Sequence, residues 1–154
     1  MITRPSCTEL VEAVRRELRT TVNGAVTDAS VHGVLEMIDS VLQNVSVRCE
    51  HEVEWMRLEI DEIMGLAEHL VQTADASDDP IRVGLAQLRT ARAQSDDAGA
   101  LRREYQAASA LLSSCAEVAV PLGGDVRERL DHVLERRLAR ELVIRGEFRM
   151  AGRG

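Results

Sequence analysis

Apolar positions recur every three or four residues along most of this chain, a spacing that keeps one face of an α-helix apolar. The longest run is Val31, Leu35, Ile38, Leu42, Val45, Cys49, Val53, Met56, Ile60, Ile63, Ala67 and Leu70, uninterrupted by proline. It predicts one long central helix over about 28–73, with Asn44-Val45-Ser46-Val47 as the place for any bend. Upstream, Leu10, Val11, Val14, Leu18 and Val22 predict a helix over about 7–22. Ser6 and Glu9 have the spacing of a capping box for its start, Glu12 is expected to face Arg16 on its surface, and Asn23-Gly24 ends it. Thr27-Asp28 offers the cap for the long helix. After a loop over 74–80, Ile81, Leu85, Leu88 and Ala91 predict a short helix over about 80–94. Leu101, Tyr105, Ala108, Leu112 and Cys115 predict another over about 97–118, which Pro121-Leu122-Gly123-Gly124 terminates. Val126, Leu130, Val133, Leu134, Leu138 and Leu142 are the expected inward face of a last helix over about 125–147, with a second capping box at Asp125 and Glu128. No strand pattern and no repeat is present. The expected fold is all-α: an up-and-down bundle of four principal helices plus one short helix, a single domain over 1–150 with a loose tail at 151–154.

Length changes that picture. A helix over 28–73 measures roughly 65 Å, whereas a compact chain of 154 residues has a radius of gyration near 15 Å. The helix therefore outruns what one compact domain covers, and a dimer is the expected remedy. Eighteen alanines suit close helix packing. Trp55, Tyr105 and Phe148 are the only large rings, which argues against base-stacking modules and against aromatic-rich β-folds.

Charge narrows the partners. The net charge is −7, and all 19 positive side chains are arginine. Residues 50–79 carry ten acids against Arg57 alone, whereas 125–154 carry eight arginines against six acids. An acidic whole disfavours phosphate backbones, and no helix-turn-helix pattern is present. The acidic middle and basic end instead suggest internal or intersubunit pairing. Cys7, Cys49 and Cys115 are far apart with no C-x-x-C, which suggests a reducing cytoplasm with thiols mostly buried. The first residues show no secretory signal and no stretch is apolar enough to span a membrane.

Candidate chemistry is sparse. A di-iron bundle needs Glu-x-x-His, which is missing. His51, Glu62 and His69 share a helix face but span roughly 27 Å of rise, too far for one metal. Neither G-x-S-x-G nor a phosphate-binding loop is present. No metal site, cofactor or catalytic residue is expected. The more informative feature is a second apolar stripe on the long helix, Trp55, Leu58 and Leu66, on the same face as His51, Glu62 and His69. Either another helix of the fold covers it or a partner does. Glu54 and Asp61 run beside it, and Arg136 and Arg140 on the last helix complement them, so two antiparallel chains would bring these groups together. The alternative use of this region is a ligand pocket lined by His51, Trp55 and Tyr105.

Arg4-Pro5, Glu9-Leu10-Val11-Glu12-Ala13-Val14, Glu17-Leu18, Val26-Thr27-Asp28 and Met37-Ile38-Asp39-Ser40-Val41-Leu42 resemble the N-terminal third of a group of small bacterial helical proteins of unknown function. That group is encoded beside aminoglycoside-phosphotransferase-like kinases and acyl-CoA dehydrogenases. The resemblance implies an accessory role and carries no catalytic residue. The sequence thus leads to a non-enzymatic, cytoplasmic helical protein that works by association with itself or with such an enzyme; the alternative is a small enzyme or ligand-binding bundle.

Overall fold

The structure, a computed structural model, describes residues 4–73, 80–93 and 97–146. All its regular elements are helical: α1 (Cys7–Glu17), a π-helical turn (Leu18–Val22), α2 (Asn23–Ala25), α3 (Ala29–Thr73), α4 (Pro80–Ala93), α5 (Ala98–Leu122) and α6 (Gly124–Arg145). The long central helix is thus one element of 45 residues, and the fold is an all-α bundle. The expected loop over 74–80 falls, but for Pro80, outside the described residues, as do the break at 95–96 and the tail.

Local chemistry explains the starts. Ser6 Oγ accepts from the Glu9 amide, and Glu9 Oε2 accepts from the Ser6 amide at 2.6 Å, which completes the capping box of α1. Asp28 Oδ1 accepts from the amide and hydroxyl of Ser30, and Asp97 Oδ1 from the Ala100 amide, so both acids satisfy orphan donors at helix starts.

Three local expectations need correction. The first helix does not stop at 22, because the chain tightens no turn there and stays helical to Ala25. α5 runs past the expected 118 to Leu122, where the Pro121-Leu122-Gly123-Gly124 stop ends it: so close to the end, proline removes a single ladder bond. Gly123 ends it, with φ of +69° and its amide donating to Ala119 O. Asp125 does not cap the last helix, because that helix already begins at Gly124. Its carboxylate instead meets Arg129 Nε at 3.0 Å and His69 Nε2 at 3.2 Å.

The chain contains two compact units: 1–52 with 141–154, and 53–140. The second unit holds the apolar core. Ile60, Ile63, Ala67 and Leu70 of α3 meet Ile81, Leu85 and Leu88 of α4, Leu101, Ala108, Leu111, Leu112, Cys115 and Ala119 of α5, and Leu130 and Val133 of α6. Each fully buried aliphatic side chain contributes about 1.5–3 kcal/mol, so this cluster is the main stabilising feature of the unit.

Leu134 and Leu138, expected inward, are exposed at 41% and 57%, as is Leu142. The reason is rotational. Steps of four residues turn a helix 40° past a full circle, so these leucines swing progressively away from Leu130. Arg137 and Arg140 take the inward positions in their place.

The first unit is built differently. Among its described residues no hydrophobic side chain is buried, and Arg15 and Ser46 are the buried ones. α1 lies antiparallel to the N-terminal part of α3: Arg15 reaches Asp39 and Gln43, while Asn23, further along, reaches His32.

Candidate functional site

In the unit of residues 53–140, one flank of α3 is acidic, and arginines answer it from neighbouring helices. Toward α4, Glu68 pairs with Arg89 at 2.7 Å and Asp61 with Arg92 at 2.6 Å. Toward α6, Glu62 accepts from Arg136 at 2.9 Å and from both terminal nitrogens of Arg140 at 2.7 and 3.0 Å. Glu59, 4% exposed, accepts from the Tyr105 hydroxyl at 3.0 Å and lies 3.4 Å from Arg137. Glu104, equally buried, lies 3.8 Å from Arg92. Burial alone would raise the Glu62 pKa, but hydrogen bonds from Arg140 and Arg136 outweigh it and hold that carboxyl below its ordinary range. The bond to Glu62 likewise raises Arg140 against the opposing effect of burial. No buried side-chain nitrogen or oxygen lacks a hydrogen-bond partner among the described residues. These ion pairs and hydrogen bonds tie α3 to α4, α5 and α6.

A shallow cleft of about 360 Å³ opens between α4 and α5. Pro80, Val83, Gly84, Gln87, Ala107 and Ser114 contribute to its lining, which among the described residues holds no acid, base or thiol. Close approach of the two helices depends on Gly84, where a Cβ would lie 3.0 Å from Leu111 Cδ1. His51, Trp55 and Tyr105 do not line this cleft. His51 is half-buried in the first unit, 3.8 Å from Glu50; Trp55 and Tyr105 are half-buried in the second.

The other sequence-derived positions separate. Leu66, expected on a partner surface beside Trp55, is in the core at 4% exposure. Leu58 is exposed at 44%, and Glu54 is exposed. Glu62 is not a surface group either: its side chain is 15% exposed between two arginines of its own chain. Arg136 and Arg140, expected to reach Glu54 and Asp61 of a second chain, are engaged with Glu62, and Asp61 is engaged with Arg92. The thiols also differ from expectation, since Cys7 and Cys49 are exposed and Cys115 alone is buried. Among the described residues no set of three or more His, Cys, Asp or Glu side chains is placed to hold a metal, and no helix is long and apolar enough to cross a membrane.

The unit of 1–52 and 141–154 carries a surface that was not singled out in the sequence. At its polar centre, Arg15 donates to Glu12 at 2.7 Å, to Asp39 at 3.0 and 3.4 Å and to Gln43 at 3.3 Å; Arg19 adds a 2.6 Å bond to Asp39. Glu12 thus pairs with Arg15 and not with Arg16. Burial opposes the charge of Asp39, but the bonds from Arg15 and Arg19 prevail and lower its pKa. The α1–α3 contact is centred on polar groups; Val11, Leu35 and Leu42 are among the half-buried side chains, and most aliphatic side chains here stay outside. Val31, Val34, Met37, Ile38, Val41 and Val45 of α3 are 38–62% exposed, and Leu10 and Val14 of α1 are 53% and 52% exposed. The available signal was the wheel position of Val34, Met37 and Val41, which lie outside the run that defines the helix.

Comparison with protein-family models, with curated proteins and with solved structures finds no match for this chain.

Proposed function

We propose that this protein is a non-enzymatic helical accessory protein of the bacterial cytoplasm, acting by association with itself or with a partner enzyme. The observation that carries the reading is the first unit, a folded unit with no buried hydrophobic residue among those described and eight aliphatic side chains of α1 and α3 more than a third exposed. Contiguous apolar surface of this kind marks interaction sites more often than idle surface. The second unit supports the same reading from the opposite side: among the described residues its buried acids are all engaged, and its cleft is lined by no titratable group.

The resemblance of the N-terminal third to helical proteins encoded beside phosphotransferase-like kinases and acyl-CoA dehydrogenases makes those enzymes the first partners to test. The tagged protein, returned to its native host and recovered under mild conditions, is expected to bring down a stoichiometric enzyme of one of these classes or a second, untagged copy of itself. Recovery of the tagged chain alone at the mass of a monomer contradicts the proposal. A ligand-binding bundle is the alternative, and thermal shifts with acyl-CoA or nucleotide would favour it.

A further inference from the structure

Polar contacts fix the register of the antiparallel hairpin formed by α1 and α3. Arg15 bonds Asp39 and Gln43, Arg19 bonds Asp39, Asn23 bonds His32, and Glu12 accepts from the Ser46 side chain. In each of these pairs the two residue numbers total between 54 and 58. Cys7 with Cys49 totals 56, so the first residue of α1 stands level with Cys49 of α3. Thr8 is half-buried, which shows α1 still covered at that level. Rotation agrees with register. At 100° per residue, Cys7 lies about 80° from Arg15 around α1, and Cys49 lies about 80° from Asp39 around α3, in the same sense. In an antiparallel pair, equal turns in one sense come out on the same flank. Val11, Leu18, Leu35 and Leu42 are half-buried and lie on that side of Arg15 and Asp39. The line of contact therefore runs between the polar groups and the cysteines, about 60° from each of the two cysteines. With helix axes about 8–10 Å apart and Cα atoms about 2.3 Å from each axis, the two Cα atoms are roughly 6–8 Å apart. Disulfides join Cα atoms about 4.4–6.8 Å apart. Cys7 opens its helix, so a small inward movement of one turn brings the pair into range.

We propose that Cys7 and Cys49 form a redox staple that locks α1 onto α3 when the chain meets a low-molecular-weight disulfide. Both thiols are exposed, whereas Cys115 is fully buried and takes no part. One of the two, as thiolate, attacks a sulfur of the reagent and expels one thiolate; the other attacks the mixed disulfide and expels the second. The Cys7–Cys49 bond forms and the reagent's S–S bond breaks. Two electrons pass from the protein sulfurs to the reagent, and the two cysteine protons go to the released thiolates. A covalent tie has leverage here because the unit buries no hydrophobic residue among those described and holds α1 through Arg15 and its partners. The staple stands apart from the association reading and acts on the unit that carries it, since α1 and α3 bear the exposed aliphatic residues.

Oxidised glutathione and the full chain supply the test. At sub-micromolar protein, the wild type is expected to keep the mass of one chain, to retain no glutathione, and to yield the tryptic peptide of Cys7 linked to that of Cys49. Cys7→Ser and Cys49→Ser each retain one glutathione instead. In Cys7→Ser/Ala13→Cys the new thiol sits at an exposed position about 160° from Arg15, and glutathione is expected on both cysteines with no link between them. Oxidation of the wild type is expected to raise its melting temperature by about 5 °C or more and to slow amide exchange in α1 at least tenfold, and dithiothreitol reverses both. Glutathione on Cys7 and Cys49 without a link, a disulfide between two chains, or a link that forms as readily from Ala13→Cys overturns the pairing. A link that leaves exchange in α1 unchanged overturns the lock. None of these results bears on whether a partner is recovered from the host, so the two readings fail separately.

Discussion

Leu130 and Leu138 belong to the same helix and the same apolar spacing, yet one is 1% and the other 57% exposed. Leu130→Asp is expected to cost about 3 kcal/mol or more, since it places an unpaired carboxylate in the core. Leu138→Asp is expected to stay within about 0.5 kcal/mol of wild type. Thermal melts of the two variants check the assignment, and equal destabilisation would show the helix rotated. Glu62 supplies a second case, with a sign fixed by its lowered pKa. A carboxyl whose folded pKa lies below its unfolded value contributes stability above the unfolded value, near 4.5. It loses that contribution as pH falls through the folded one. Urea melts between pH 7 and pH 3 should therefore show wild type losing its advantage over Glu62→Gln below about pH 4.5. At pH 7, Glu62→Ala should cost about 1–3 kcal/mol, because it strands Arg140 half-buried. A charge strip in sequence usually reads as a solvated face. Glu59 and Glu104 show the limit of that rule, for nothing in their spacing reveals that Tyr105, Arg137 and Arg92 lie close enough to let them be buried.

Elements were more legible than residues. The capping chemistry of Ser6, Asp28 and Asp97 and the unbroken apolar run of α3 are local signals, and the corresponding helices begin where those signals place them. What the run did not disclose is which of its members face inward. From Ile60 onward they line the core, but Val31, Ile38 and Val45 remain exposed, because α1 takes the adjacent flank through Arg15 rather than the apolar face itself. That choice depends on a polar contact between residues 24 positions apart, which periodicity does not encode. Arg15→Ala removes the hub and leaves Asp39 with Arg19 alone. Hydrogen exchange is expected to speed up across α1 while the amides around Ile63, Leu88 and Leu111 keep their protection. Loss of protection in both places would show that α1 is integral to the apolar core.

The two units divide the work at the scale of the whole molecule. One buries its apolar residues and commits its acids to arginines within the chain; the other exposes aliphatic residues around a polar centre. The sequence pointed to self-association, but through Trp55, Leu58 and Leu66. Leu66 proves to be core, and the arginines meant for a second chain are used at home. The apolar surface left over lies further up the same helix. Salt should matter little to an association through it, since exposed ion pairs contribute about 0–1 kcal/mol. Sedimentation equilibrium over a rising concentration series measures the central claim directly. The wild type is expected to approach twice the chain mass of 17.0 kDa in the micromolar range, with Val34→Glu/Val41→Glu remaining at one chain mass under the same conditions. A wild type that stays at 17.0 kDa throughout and recovers no partner enzyme from its host, or a double variant that associates as well as wild type, would contradict it.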